Sequence, residues 1–244
     1  MKILALEFSS PQRSVAVVSS VRRDELPGSP SRREQVKNGT RVTRPSEVSV
    51  SEVVETATNN PMKPLSMVET VLKQAGLERE QIEGLAIGLG PGSYTGIRVA
   101  IALAQGWQLA RRVKLPRLNS VECIAAQAQA DGFTGKACVV IDAQRDEFYV
   151  AGYDVEVGEC HEVWPLRLAK LPEVRERGNT GETLIGPEVT RWFPHGRVIF
   201  PRAATLGRLA MTRGEFVPGE KLEPIYLRET AFVKAPPPRV LPAG

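Results

Sequence analysis

A chain of 244 residues with 42% apolar and 25% charged residues has ordinary globular composition and can bury one large core or two small ones. Its charge sum, 32 − 28 = +4, is too small to mark a nucleic-acid binder on its own. Three scattered cysteines, Cys123, Cys138 and Cys160, exclude a disulfide framework and have no zinc-ligand spacing; they read as small buried hydrophobes.

"KILALEF" (2–8) reads as a buried strand, too short for a signal core or a membrane span. "SVAVVSS" (14–20) alternates and forms a second strand after a hairpin-length gap. Residues 21–47 then break all periodicity, with Pro27, Gly28, Pro30, Gly39 and Pro45. Seven basic residues here (Arg22, Arg23, Arg32, Arg33, Lys37, Arg41, Arg44) outnumber the acids. The segment reads as an exposed insertion, with an RNA-touching arm as the sharper alternative. A third strand covers 48–57. In the helix that follows, Leu65, Val68, Leu72 and Ala75 keep one face, Pro64 suits the first turn and Gly76 the stop. "GLAIGLG" (84–90) is a strand, and a long helix begins near Tyr94. The second half repeats the mixture: a helix in "SVECIAAQAQA", strands in "ACVVIDA" and "EFYVAGYDVEV", then "LPEVRERG", "ETLIGP", "RVIFP" and the helical "AATLGRLAMTRGE". These elements predict an α/β protein of two lobes, 1–116 and 117–234, divided near Pro116, with an extended tail at 235–244. No apolar run is long enough to span a bilayer, so a soluble cytoplasmic protein is expected.

The loop of Gly88, Gly90, Gly92 and Gly96 matches no specific phosphate motif. It lacks the Lys of a P-loop, the third glycine of GxGxxG and the GxSxG of a nucleophile elbow. Gly90, Gly92, Ser93 and Thr95 still form a candidate anion seat, because a helix N-terminus offers free N–H groups and a positive dipole end. The alternatives are that the glycines let strand, turn and helix pack closely, and that Ser93 is a helix cap. On a helical wheel from Tyr94, Arg98, Gln105, Gln108 and Arg112 make one narrow polar strip. Val99, Ala102, Leu103, Gly106, Trp107 and Ala110 cover one apolar face, and Ile97, Ala100, Ile101 and Ala104 extend it. That is more apolar surface than one lobe requires. Either the helix is sandwiched inside its own fold, or Ile97, Ala100, Ile101 and Ala104 join Leu65, Val68 and Leu72 as a subunit interface. In the second case Ala104→Arg would block association without unfolding the chain.

"GLGPGSYTGIRVAIALAQGWQLA" resembles the TsaB family, whose hallmark is GPGS[FY]TG[ILV]R entering such a helix. In the same order, "MKILALEFSS" is similar to the family's Asp-Thr-Ser opening, "VVIDAQRDEFYVAGY" to its Asp-Ala-Arg-x-x-Glu-x-Tyr segment, and "LEPIYLRE" to its Pro-x-Tyr-x-Arg close. The resemblance implies the two-lobed actin/Hsp70/sugar-kinase-like fold. It implies a non-catalytic scaffold or activator subunit of the bacterial system that builds N6-threonylcarbamoyladenosine at tRNA position 37. A TsaD-like catalytic subunit and a TsaE-like ATPase are its implied partners, with tRNA engaged through the complex and ATP and metal on the partner subunits. A homodimer through the same helices is reasonable when the partner is absent. Glu7 and Phe8 replace the usual Asp and Thr, and Gln144 replaces the usual Arg. The HxxxH metal motif of TsaD-like members has no counterpart, since His161 and His195 are far apart and both in the second half. Asp142 is the leading acid–base candidate among Glu7, Asp142, Asp146 and Glu147, but equally a turn-former, and no nucleophile–base pair stands out. The alternative function is a free-standing ATP-dependent transferase or kinase of this fold.

Overall fold

The computed structural model describes residues 1–21, 47–56 and 63–227. The tail at 235–244 and the span 22–46 of the expected insertion lie outside the described residues.

The first half supplies β1 (Lys2–Glu7), β2 (Gln12–Val21), β3 (Glu47–Thr56), α1 (Pro64–Ala75), β4 (Gly84–Gly88), α2 (Tyr94–Arg111), β5 (Arg117–Leu118) and the closing helix α3 (Ser120–Ala130). The second supplies β6 (Gly135–Asp142), β7 (Glu147–Val155), β8 (Cys160–Lys170), α4 (Leu171–Asn179), β9 (Thr183–Gly186), β10 (Arg197–Val198) and α5 (Ala203–Thr212). The two sheets have one topology. The first runs β3-β2-β1-β4-β5 and the second β8-β7-β6-β9-β10. In each, the leading strand pairs antiparallel with the second and parallel with the fourth. The expected two-lobed α/β architecture is therefore present as a structural repeat.

Local chemistry accounts for the elements. β1 and β4 are buried along their length because both faces of the first sheet are covered. α1 opens with Pro64 and stops at Gly76, whose left-handed φ of 64° lets the Gly76 and Leu77 amides close on the Lys73 and Leu72 carbonyls. Two strands escape the sequence reading. β5 is two residues long, and β8 carries Pro165 and alternates weakly. Pro165 is tolerated because β8 is an edge strand, irregularly registered where Gly152 faces Trp164.

The sheets change over after Leu118, but the helices do not change with them. α1 and α2 cover one face of the first sheet, meeting Leu4, Leu6, Val15, Leu85 and Ile87. The other face (Ile3, Ala5, Val18, Ala86) is covered by α5 from the far end of the chain. α3, which follows β5, packs instead on the second sheet against Val139, Ala151 and Ile185. Each half thus lends its last helix to the other.

The start of α5 shows how that exchange is held. No neighbouring side chain caps it. Ser14 Oγ accepts the Ala203 amide at 2.8 Å and Glu52 Oε1 accepts the Ala204 amide at 3.0 Å. Glu52 also receives Arg202 through both oxygens, at 3.3 and 2.6 Å. Orphan helix amides and a partly buried cation share one carboxylate. Glu52→Ala is expected to cost about 2 kcal/mol in urea unfolding, with Glu52→Gln recovering part of the loss by keeping the cap acceptor.

Candidate functional site

The glycine loop joins β4 to α2 and lies against the loop that follows β1. A Cβ on Gly92 would stand 2.1 Å from the Ser9 carbonyl oxygen, and one on Gly96 2.0 Å from that of Phe8. Both positions are glycine because backbone passes backbone there. At Gly88 a Cβ would fall 1.9 Å from Glu7 Oε2, so that glycine makes room for a carboxyl group. The close-packing account of these glycines is the one the structure shows.

The loop's polar groups are largely committed within the chain. The Ser93 amide donates to Ser9 O at 2.7 Å, and Ser93 Oγ accepts the Gly96 amide at 3.3 Å, making Ser93 the cap of α2. The Ile97 amide returns to Ser93 O, and Gly90 O accepts the Ser120 amide. Of the candidate anion seat, Gly92 and Ser93 border a cleft and Thr95 is exposed on the helix, but the Ser93 amide is already donated to Ser9.

That cleft, about 510 Å³, opens between the two sheets. Ser9, Ser10, Arg13, Tyr94 and Tyr226 face it from the first lobe, and Asp142, Tyr149, Glu188 and Trp192 from the second. Arg13 is the one cation among its described lining residues, against two carboxylates. Asp142 Oδ1 accepts the Gln144 amide at 2.7 Å and opens a tight turn in which Gln144, Arg145 and Asp146 all have left-handed φ, 65°, 59° and 58°. It is a turn-former at the cleft edge. Asp146 and Glu147 belong to the same hairpin but do not line the cleft. His161 sits exposed at 3.0 Å from Glu159, and His195 is exposed in a separate turn. Among the described residues no three His, Cys, Asp or Glu side chains group as metal ligands. Cys123 and Cys138 are buried as expected, while Cys160 is half-buried. Burial pushes the Cys138 and Cys160 thiols up to about 12 and 11, so neither is a ready thiolate.

α2 has three sides. Gly96, Ile97, Ala100, Ile101 and Ala104 face the first sheet. Ile97 is 1% exposed and Ala104 0%. The expected interface is corrected accordingly: Ile97, Ala100, Ile101 and Ala104 are core, as are Val68 and Leu72 of α1, and of the seven only Leu65 is exposed. Ala104→Arg would bury a cation among Leu85, Ile87 and their neighbours, so it is a folding mutation. The wheel shows two apolar sides but not which of them meets the sheet. The close approach of Gly92 and Gly96 to the Ser9 and Phe8 carbonyls selects the side that turns inward. The polar strip is the second side, and it seats the returning C-terminal segment. Gln105 donates to Gly219 O at 3.0 Å, Gln108 accepts the Gly219 amide, and the Ile225 amide reaches Leu89 O. Tyr226 stacks on Tyr94, over which Arg98 lies at 4.2 Å. The third side has no cover among the described residues. Ala102, Gly106, Leu109 and Ala110 are exposed, Leu109 to 90%, beside half-buried Val99, Leu103 and Trp107.

Glu7 lies beneath the cleft floor, fully buried. Its Oε1 accepts the Ser9 amide at 2.8 Å and its Oε2 the Ser120 hydroxyl at 3.1 Å. Burial pushes this carboxyl above its ordinary 4.5, against the hydrogen bonds from Ser9 and Ser120. A carboxyl with a raised folded pKa binds its proton more tightly in the native state, so stability falls as pH rises from about 4.5 through the folded value. Glu7→Gln keeps both contacts without the charge. Its thermal midpoint is expected to exceed that of the unmodified chain at pH 7, with the gap closing toward pH 4. A constant gap across that range would refute the assignment.

A family model described as "TsaD: tRNA N6-adenosine threonylcarbamoyltransferase" matches residues 58–212, more than half of the chain. The tRNA threonylcarbamoyladenosine biosynthesis protein TsaB of Escherichia coli is 30% identical over 190 residues, covering 71% of this chain and 82% of that protein. The Bacillus subtilis protein of the same name is 25% identical over 107 residues, covering 44% and 46%. In structure, the chain is similar to YeaZ from Pseudomonas aeruginosa, with a TM-score of 0.70 at 22% identity over 93% of this chain and 99% of that one. That likeness agrees with the actin/Hsp70/sugar-kinase-like fold of two matched lobes. The duplicated sheets, the glycine loop capped into α2 and this relationship place the chain in the TsaB family.

Proposed function

We propose that this chain is a non-catalytic scaffold and activator subunit in the synthesis of N6-threonylcarbamoyladenosine at tRNA position 37, and that it pairs with a TsaD-like catalytic subunit. Membership of the TsaB family ties it to tRNA threonylcarbamoyladenosine biosynthesis. The observation that carries the pairing is the uncovered third side of α2. Ala102, Gly106 and Ala110 recur every four residues, so a second helix can approach closely, and Leu109 beside them stays 90% exposed among the described residues. A TsaE-like ATPase joins the same assembly, and tRNA is reached through it. Alone, the chain closes a homodimer through the same side.

ATP and metal belong to the partner subunits in this reading. Three features support that division. The carboxyl at the end of β1 is sealed under the cleft, the Ser93 amide donates to Ser9 while its hydroxyl oxygen accepts from Gly96, and Asp142 is held in its own turn. A free-standing kinase or transferase would need such groups facing the cleft. Calorimetry of the isolated chain with Mg²⁺ and millimolar ATP is expected to show no binding heat, and a saturable heat would favour the kinase reading.

Gly106→Arg tests the pairing directly. A Cβ at 106 meets no atom of the described residues within 4 Å, so the variant should fold, with a thermal midpoint equal to or above the original because glycine is a poor helix former. It should no longer co-elute with the TsaD-like subunit. Normal co-elution would refute the interface.

A further inference from the structure

From the charge distribution we infer that this chain binds the phosphate backbone of RNA along the β5 edge of its first lobe, through Arg111, Arg112, Lys114 and Arg117. The inference deepens the proposed function, on which it rests, by giving this subunit its own contact to tRNA.

The described body is not basic. It carries 22 Lys and Arg against 24 Asp and Glu with Glu47 counted, since ten of the 32 basic and four of the 28 acidic residues lie outside it. Positive charge is nonetheless concentrated at one place. Residues 84–121 contain no Asp or Glu, and four of their five cations fall within 111–117. All four are exposed, and among the described residues none of them is in a salt bridge. Val113, Leu115 and Pro116 are buried, while Lys114 and Arg117 turn out.

Two ordinary explanations fall short. A cation in the last turn of α2 offsets the helix dipole, which accounts for Arg111. One charge on an edge strand discourages strand addition, which accounts for Arg117. The edge is already partly occupied, since the Val217 amide donates to Leu115 O. Arg112 and Lys114 remain unexplained, and Lys114 carries a further feature. Its ammonium lies 5.0 Å from the ring centre of Phe216, an aromatic 39% exposed on the returning segment. Beside it a depression of about 370 Å³ is lined by Arg117, Thr212 and Gly214, with Arg213 and Glu215. Arg213 is paired with Glu122, so Arg117 is the available cation there. Spaced cations beside an exposed ring suit a phosphate backbone with a base placed to stack. The edge begins where the uncovered side of α2 ends, at Leu109 and Ala110, so RNA held here would lie next to the partner subunit.

The test is binding of an unmodified tRNA transcript by fluorescence anisotropy across a salt series, using the full chain alone and in complex with its TsaD-like partner. Arg112→Gln/Lys114→Gln/Arg117→Gln is expected to weaken binding about 10- to 100-fold near 0.1 M salt, and to lower the slope of log affinity against log salt by about 2 to 3. The basic insertion is present in both proteins, so the difference reports the edge. Co-elution with the partner should be unchanged. Gly106→Arg should give the converse result, RNA binding by the isolated chain kept and co-elution lost, so failure of the pairing and failure of the RNA edge have different signatures. Unchanged tRNA affinity and slope in the triple variant would overturn the inference. So would loss of co-elution by that variant, which would give the edge to a protein partner, or binding to phosphatidylserine vesicles in place of tRNA.

Discussion

The loop after β1 and the start of α2 pass each other backbone against backbone. The Phe8 and Ser9 carbonyls lie where side chains on Gly96 and Gly92 would have to be, and Ser93 is tied to Ser9 by its amide. That approach sets how far α2 is rolled about its axis. With the roll set, Ile97, Ala100, Ile101 and Ala104 must face the sheet, Gln105 and Gln108 must meet the returning segment, and Ala102, Gly106 and Leu109 are left outside. An 18-residue helix carries three distinct surfaces because its first turn has one permitted orientation.

The same contact forms part of the cleft wall, through Ser9, Gly92 and Ser93. The fold places the ends of β1 and β6 at the cleft between the lobes, where ligands bind in related α/β architectures. Here the carboxyl at the end of β1 points down into the space left by Gly88, held by Ser9 and Ser120, while the one at the end of β6 organises its own hairpin. The opening of about 510 Å³ remains between the lobes, with the Ser93 amide, Glu7 and Asp142 each held by a contact within the chain.

Much of this was readable from residues. Strong periodicity and punctuation placed α1 between Pro64 and Gly76, Ser93 as the cap of α2, and the long strands of both sheets. What was not readable has physical causes. β5 is too short to carry a pattern, and β8 is half-exposed and interrupted by Pro165, which only its edge position permits. The polar strip of α2 resembled a solvent face because its true neighbour, Gly219, lies more than a hundred residues further along the chain. The error about which apolar side of α2 is buried has the same origin. A wheel records angles within one helix, and the sheet it lies on is assembled from distant segments.

The traded helices limit how the chain can be made. Synthesis delivers the first sheet long before α5, the layer that seals its second face through Ile3, Ala5 and Val18. Until the ribosome has released residues past Thr212, that face has no cover, and α3 waits in turn for the sheet it will rest on. Neither half can finish folding before the other exists, so the two lobes reach the native state together or not at all.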